Sequence, residues 1–411
     1  MDLIASIPVY VFTFVSLYFQ VFLLVTFLEK RQSIAREESD LALAAYPSVT
    51  IVVPCWNEER TVVPTMESLL ALDYPKEKLR LFIVDDGSTD ATWNVVQRFV
   101  THDNVTLFKK ENGGKHTALN LALSHVTTDL VGCLDADSFV EPDTLKRIVK
   151  SFEDATVMAV TPAIKIENPR NVLELIQNVE YNFGIFFRKV MGTLDAIQVT
   201  PGPFSIFRKR VFDDLGPYKK AHNTEDLEMA FRMHESNYRI VNSHKAFVRT
   251  VAPKTLKGLY RQRLRWVYGF LKNSLDYKHL FFRKQYGNFG MFMLPAAVIS
   301  IFSVLYLVGY ALFNFGLYAS GKLTAFEAGG MAGFTPRFDL FFINTELLTF
   351  VAIILFLMVL IIIFIGKSLA EDTRRVPLDV VYFLALYGFI VPSWLFMALV
   401  NTALSKKSAW R

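Results

Sequence analysis

Four stretches of this chain carry almost no charge: residues 3–28, 289–320, 347–366 and 380–404. A helix needs roughly 20 apolar residues to cross a hydrocarbon core, and each stretch meets that length. The first lacks a basic segment before it and a small-residue cleavage site ahead of Glu29-Lys30-Arg31, so it reads as a retained anchor rather than a cleaved signal. Between the first and second runs the pattern changes. From about 48 to 154, short β-rich runs at 49–53, 81–84, 105–108 and 130–134 alternate with helix-type spacing at 59–70, 91–99, 116–123 and 142–152. That alternation predicts a parallel sheet with crossover helices. The pattern therefore divides the chain into an N-terminal anchor (1–28), a charged, alanine-rich linker (29–47), a polar α/β domain (48–284) and a C-terminal membrane part of about three segments (285–411). Within the polar domain, amphipathic helices near 171–190 and 255–282 are expected at the membrane interface. The first of them carries Phe183, Phe186 and Phe187 beside Arg188 and Lys189.

Charge gives this arrangement a direction. Lys30 and Arg31 follow the first run, Arg283 and Lys284 precede the second, and Lys367, Arg374 and Arg375 follow the third. Basic residues favour the cytoplasmic side, which puts the polar domain in the cytoplasm and the loop near Gly329 outside. The expected number of crossings is four. The last run holds Pro392 and Ser393, and two readings stay open. A full crossing leaves Lys406, Lys407 and Arg411 outside, whereas a re-entrant segment keeps them inside.

Composition narrows the class. With 52% hydrophobic residues and 37 phenylalanines among 411, the chain is too apolar for a soluble enzyme. The net charge of +5 is mild, and its basic residues form neither a stripe nor a nucleic-acid motif, so no nucleic-acid partner is expected. The only cysteines, Cys55 and Cys133, fall at strand ends and read as reduced thiols.

In open α/β sheets ligands bind beyond the carboxyl ends of strands. Three polar clusters fall there: Pro54-Cys55-Trp56-Asn57-Glu58, Asp85-Asp86-Gly87-Ser88-Thr89-Asp90 and Asp135-Ala136-Asp137. Asp135 and Asp137 can share one hard cation and the phosphates it binds, since Mg²⁺ prefers carboxylate oxygens. A turn or helix cap is the plainer role for such a pair. Asp85 and Asp86 suit a nucleoside pocket, and the same segment can serve as a turn in which Thr89 or Asp90 caps the next helix. Gly113-Gly114-Lys115 precedes a helix and can bring backbone and an ammonium to phosphate, although its spacing is not that of a Walker loop. Thr224-Glu225-Asp226 opens an amphipathic helix; it supplies either a helix start or a carboxylate base for a hydroxyl. Gln262, Arg265 and Trp266 suit a pyrophosphate and the face of a sugar, or equally a helix resting on lipid headgroups.

Taken in order, Pro54…Asn57-Glu58, Asp85-Asp86, Lys115, Asp135-x-Asp137, Thr224-Glu225-Asp226 and Gln262-x-x-Arg265-Trp266 resemble the family 2 glycosyltransferases. Within that family the likeness is to membrane-integrated synthases of poly-N-acetylglucosamine, chitin oligosaccharides, hyaluronan and cellulose. It covers about residues 48–270 and the flanking membrane segments. The resemblance implies a GT-A, Rossmann-like and mostly parallel α/β domain on the cytoplasmic face of the plasma membrane, between α-helical transmembrane segments. It implies a UDP-sugar donor contacted by Pro54, Cys55, Glu58, Asp85, Asp86, Lys115, Asp135, Gln262 and Arg265. It implies Mg²⁺ or Mn²⁺ at Asp135 and Asp137, Asp226 as general base, and an acceptor held by Thr200, Pro201, Gly202, Glu225 and Trp266. The acceptor is a growing β-linked glycan or a lipid-linked one, with a possible accessory export subunit. Two other classes compete: a single-addition transferase to polyprenyl phosphate, which usually lacks Gln-x-x-Arg-Trp, and a non-catalytic membrane protein. The nearly charge-free spans argue against a transporter.

Overall fold

The computed structural model describes residues 3–36, 42–330, 347–372 and 378–405. Arg374, Arg375, Lys406, Lys407, Arg411 and the loop after Gly330 lie outside the described residues. Helix α1 (Leu3–Arg36) runs through the first apolar stretch and on into the start of the charged linker. Strand β1 (Val49–Cys55) follows, then α2 (Val62–Leu70), β2 (Leu79–Asp86), α3 (Thr92–Val96), β3 (Val105–Lys110), α4 (Lys115–Leu123) and β4 (Leu130–Cys133). These are the strands and crossovers expected from the sequence, with bounds shifted by a few residues. The sheet continues through elements the hydrophobic pattern does not announce: β5 (Ser138–Val140), β6 (Val157–Ile166), β7 (Ile206–Arg208) and β8 (Arg239–Thr250). Helices α5 (Thr144–Ser151), α6 (Val172–Thr193), α7 (Arg210–Leu215) and α8 (Glu225–Glu235) lie among them.

All eight strands form one sheet in the order β3-β2-β1-β4-β7-β6-β8-β5. The β3-β2-β1-β4 half is parallel, while β7 runs antiparallel to both β4 and β6. Because successive side chains face opposite sides of a strand, β1 feeds two cores. Ile51 and Val53 meet Met66 and Leu69 of α2 and Leu145, Ile148 and Val149 of α5. Val52 joins Val84, Leu119 of α4 and Met229 and Phe231 of α8 on the other face. Cys55 belongs to the first core and Cys133 to the second, and both are free thiols, as expected.

Helix α9 (Leu256–Asp276) leaves the domain toward the membrane part, α10 (Leu294–Gly329), α11 (Leu347–Leu369), α12 (Leu378–Tyr382) and α13 (Gly388–Ala403). Among the described residues, four helical spans are long and apolar enough to cross a membrane: Ile7–Gln32, Phe289–Ala328, Leu347–Leu369 and Leu378–Ala403. The last is continuous from α12 through a π-helical turn at Phe383–Tyr387 into α13, with Pro392 inside it. Membrane helices accommodate proline in this way because neighbouring groups take up the freed carbonyl.

Helix α6 joins the two parts. Asn171 caps it by accepting from Glu174 N (2.9 Å), and the Glu174 carboxylate accepts from Asn171 N (3.1 Å), a reciprocal capping box. Gly366 of α11 lets the backbones approach, since a Cβ there would sit 2.5 Å from the Asn182 carbonyl oxygen. Beside this contact a buried Lys367 ammonium binds Asp372 (2.9 Å) and Asp379 (2.6 Å). Asn178 donates to both carboxylates (3.0 Å each) and Asn182 donates to Asp372 (3.1 Å).

Candidate active site

A cavity of about 860 Å³ opens past the carboxyl ends of β1, β2 and β4 and extends between α6 and α9 to α10. Its wall includes Pro54, Cys55, Glu58, Asp86, Lys115, Asp135, Asp137, Pro201, Gly202, Glu225, Asp226, Gln262, Arg265 and Trp266. Of the site residues singled out from sequence, only Asp85 and Thr200 do not line it.

Asp85 is fully buried at the end of β2. Its Oδ1 accepts from Ser88 N (3.1 Å), while Oδ2 has no partner among the described residues. Asp86 turns toward the next loop. Its carboxylate accepts from Lys110 Nζ (2.6 Å), Gly113 N (3.1 Å) and Gly114 N (2.8 Å). Those glycine N–H groups, expected to be available to phosphate, are therefore engaged by Asp86. Gly87 permits the arrangement, with φ of +71° and room for no Cβ, which would lie 2.6 Å from Asn112 N. Asn57, also left-handed (φ 57°), stitches β1 to this loop by accepting from Thr89 N (2.8 Å) and donating its own N–H to Ser88 Oγ (3.0 Å).

Lys115, the first residue of α4, reaches Asp135 (2.5 Å) and Glu225 (3.7 Å). Burial alone would lower its pKa, but Asp135, Glu225 and Asp226 hold it well above the ordinary value. Gly202 makes room for the pair, because a Cβ there would stand 2.4 Å from Lys115 Nζ and 3.0 Å from both Asp135 carboxylate oxygens. Asp137 lies deeper. Burial, then the neighbouring Asp135 and Glu58 charges, push its carboxyl up to about 7. Crowded carboxylates of this kind fit a divalent cation, which would offset their repulsion. Among the described residues no cluster of three or more His, Cys, Asp or Glu surrounds one point. An ion held by Asp135 and Asp137 would thus take further ligands from phosphate and water, as Mg²⁺ does.

Asp226 sits on the first turn of α8 beside Glu225. Burial and the Glu225 charge push its carboxyl up to about 6, against the opposing pull of Lys115 and Arg265. The helix start is not closed by a side-chain cap. Thr224 instead donates to the Ala221 carbonyl (2.9 Å) and accepts from Asn273 Nδ2 (3.0 Å). Ahead of it Ala221, His222 and Asn223 are all left-handed (φ 41°, 57° and 64°), an uncommon run for non-glycine residues that costs free energy. Helix α9 holds this turn. Arg265 Nη1 donates to the Asn223 carbonyl (3.1 Å), and Gly269 clears space where a Cβ would come within 2.4 Å of the Thr224 side chain. Thr200, expected at the acceptor, supports the Asp226 backbone instead, donating Oγ1 to the Asp226 carbonyl (2.8 Å).

Several residues in or behind the cavity wall escaped the sequence reading. Arg263, between Gln262 and Arg265, is only 3% exposed and grips Glu180 of α6 through Nε–Oε1 (2.9 Å) and Nη2–Oε2 (2.8 Å). Its Nη1 donates to Gln262 Oε1 (2.5 Å), and its guanidinium lies 4.3 Å from the ring centroid of Trp266. The pair thereby orients both Gln262 and the 37% exposed Trp266. Tyr181, Gly184, Arg188 and Gln198 also line the cavity. Arg188 and Lys189, read as interfacial charges, turn inward; Lys189 donates to the Asn242 carbonyl (3.5 Å) and is 3% exposed. The available signal was the i, i+4, i+8 spacing of Glu180, Gly184 and Arg188, which marks a second face on α6.

The chain is 33% identical over 236 residues to a poly-beta-1,6-N-acetyl-D-glucosamine synthase of Staphylococcus aureus (strain COL), covering 57% of each chain. It is 31% identical over 224 residues to the enzyme of that name from Staphylococcus epidermidis, covering 54% of each. The matched segment thus spans just over half the length of these curated relatives. In fold it is similar to a mannosyltransferase from Pyrobaculum calidifontis in complex with GDP-Man and Mn2+, with a TM-score of 0.60 and 21% identity over 96% of this chain and 99% of that one. The shared architecture is a GT-A-like mixed sheet flanked by long apolar helices. Residues 47–269, the span that builds the sheet and all but the membrane wall of the cavity, match the family described as "Glycosyltransferase like family 2", and the chain belongs to that family.

Proposed function

We propose that this protein is an inverting N-acetylhexosaminyltransferase that moves N-acetylglucosamine from its UDP-linked donor to a hydroxyl of a growing β-linked glycan. The observation that carries the reading is the pairing of a half-buried carboxyl, Asp226, pushed up to about 6, with the Asp135/Asp137 group and Arg265 in one cavity. The acceptor hydroxyl attacks the anomeric carbon of an α-linked donor, and Asp226 accepts the hydroxyl proton. The bond from that carbon to the diphosphate oxygen breaks, and the diphosphate departs with the bonding electrons. One displacement inverts the configuration and yields a β linkage. Lys115, Arg265 and Gln262 are suited to hold the diphosphate by charge-assisted hydrogen bonds. A bound Mg²⁺ or Mn²⁺ at Asp135 and Asp137 would neutralise charge on the leaving diphosphate. The Pro54–Cys55 strand end and Asp86, which line the cavity, suit the nucleoside, with Asp85 buried behind them. Trp266, with Pro201, Gly202 and Glu225, is suited to stack and bound the acceptor sugar.

The donor assignment draws on what the Staphylococcus relatives are named for. The proposed setting is the plasma membrane with the catalytic side cytoplasmic, following the basic residues that flank the spans. An accessory subunit for export is part of the same proposal. The test is incubation of the purified full-length protein, with Mg²⁺ or Mn²⁺, with a panel of radiolabelled nucleotide sugars, scoring nucleotide release and linkage. UDP-N-acetylglucosamine should give a β-linked product. Transfer from no nucleotide sugar, or an α-linked product, would sink the proposal.

A further inference from the structure

The cavity does not end at the carboxylates. Its wall also includes Ala297 and Ile301 of membrane-spanning α10, together with Gly184 and Arg188 of α6 and Gln198. This part of α6 lies against the membrane helices, since Phe187 meets Phe19 of α1 with ring centroids 6.4 Å apart. Arg188 stands out there. A guanidinium carries five N–H donors, and this one makes a single bond, from Nη1 to the Pro162 carbonyl (3.2 Å), with no carboxylate partner among the described residues. Arg263, behind the wall formed by Glu180, Gln262 and Trp266, is by contrast paired with the Glu180 carboxylate through two hydrogen bonds. Burial lowers the Arg188 pKa to about 10, so it stays charged at neutral pH. A partly buried cation without a counter-ion costs folding free energy unless a ligand completes it. Nearby wall groups leave room for that ligand. A Cβ on Gly184, one turn before Arg188, would meet nothing within 4 Å. The side-chain oxygen of Gln198 is buried without a partner, and a half-turn of its amide would present N–H instead.

We infer that the membrane end of the cavity is a phosphate subsite centred on Arg188, and that it holds the phosphate of a lipid carrying the acceptor glycan. An anion is required because a neutral hydroxyl cannot offset the guanidinium charge. A lipid is favoured because apolar side chains of a membrane helix share the wall. The carrier role rests on the glycosyltransferase reading; the phosphate subsite does not.

The test uses the full-length protein in nanodiscs of phosphatidylcholine, titrated with a polyprenyl phosphate or with phosphatidylglycerol, and bound lipids are counted by native mass spectrometry. Arg188→Gln should weaken polyprenyl phosphate binding roughly 10- to 100-fold, the worth of one charge-assisted contact. Gly184→Leu, which fills the open space instead of removing charge, should weaken it independently. Both variants should melt within a few degrees of the parent and keep their affinity for UDP. Undiminished polyprenyl phosphate binding by Arg188→Gln overturns the subsite. Phosphatidylglycerol competing on equal terms overturns the acceptor-carrier assignment, leaving an ordinary headgroup site. Arg188-dependent binding in a protein that transfers no sugar would leave the subsite standing while the transferase reading falls.

Discussion

Replacing Asp226 with asparagine should make the protein more stable and nearly inactive at once. The carboxyl is pushed up to about 6 from an ordinary 3.8, by burial first and Glu225 second. A rise of about two units corresponds to roughly 3 kcal/mol spent on ionising Asp226 in the folded state. The sign follows from which state ionises first. Below about pH 4 the group is protonated whether folded or not, and the penalty is absent. Between about 4 and 6 only the unfolded chain loses the proton, so parent stability declines as pH rises. Above about 6 the full penalty is present. The substituted amide never ionises, so the stability of Asp226→Asn relative to the parent should climb through that window and then level off, at about 1–3 kcal/mol after the cost of burying an amide. Chemical denaturation at a series of pH values from 4 to 8 reads this directly. Turnover should fall about 10²–10⁴-fold, the usual worth of a positioned base, with UDP affinity little changed. In the parent, kcat should drop about tenfold per pH unit below 6. A stability difference that is flat across the window, or a variant that still transfers sugar well, would return Asp226 to an ordinary place on a helix's first turn.

Other consequences are as direct. Asp137 must ionise to hold a cation, so Mn²⁺ affinity measured by calorimetry should fall about tenfold per pH unit below about 7 and be level above it, and Asp137→Ala should abolish metal-dependent nucleotide binding. Gly202→Ala places a methyl 2.4 Å from Lys115 Nζ, a flexible chain end that can swing away; the variant should fold normally yet bind the donor about tenfold more weakly, with the fold checked by its melting temperature. Glu180→Gln leaves the Arg263 guanidinium buried without its counter-ion, and should raise the donor and acceptor KM together, because the pair orients both Gln262 and Trp266. Single cysteines introduced in the polar domain should resist labelling from outside intact cells, and labelling there would reverse the proposed orientation.

The parallel half of the sheet was legible because strands buried on both faces read as near-continuous apolar runs, as Val49 to Val53 does with only Thr50 interrupting it. Strand β8 was not, since Arg239, His244, Lys245 and Arg249 interrupt it, and β7 is three residues long. Helix α6 announced itself through its apolar and aromatic face, with Phe183, Phe186 and Phe187; the Asn171–Glu174 capping box that starts it is equally local but was not read. The acids of the site were likewise visible, because strand ends in an open sheet converge whatever the side chains do. What each acid binds was not. Asp86 turning to Gly113 and Gly114, Thr200 supporting Asp226, and Arg263 closing on Glu180 all join residues far apart in the chain. Only the folded backbone brings those partners within reach, and no local spacing encodes them.

The cluster of Lys367, Asp372, Asp379, Asn178 and Asn182 has a mechanical consequence. Sliding α6 by a single residue against α11 would strip the asparagine donors from both carboxylates, leaving two buried acids to share the Lys367 ammonium, a penalty of about 1–3 kcal/mol for each lost donor. Helix α6 is therefore a fixed rail bolted to the bilayer-facing helices. If a glycan is to advance past the site by one sugar after each addition, the rail stays still while the opposite wall does the stepping. That wall is the start of α8 with its strained turn at 221–223, and α9 behind it. The same bolts make the α/β domain a poor candidate for separate expression: cut away from residues 347–405, it would carry Asn178, Asn182 and the apolar face of α6 into water with nothing to meet them.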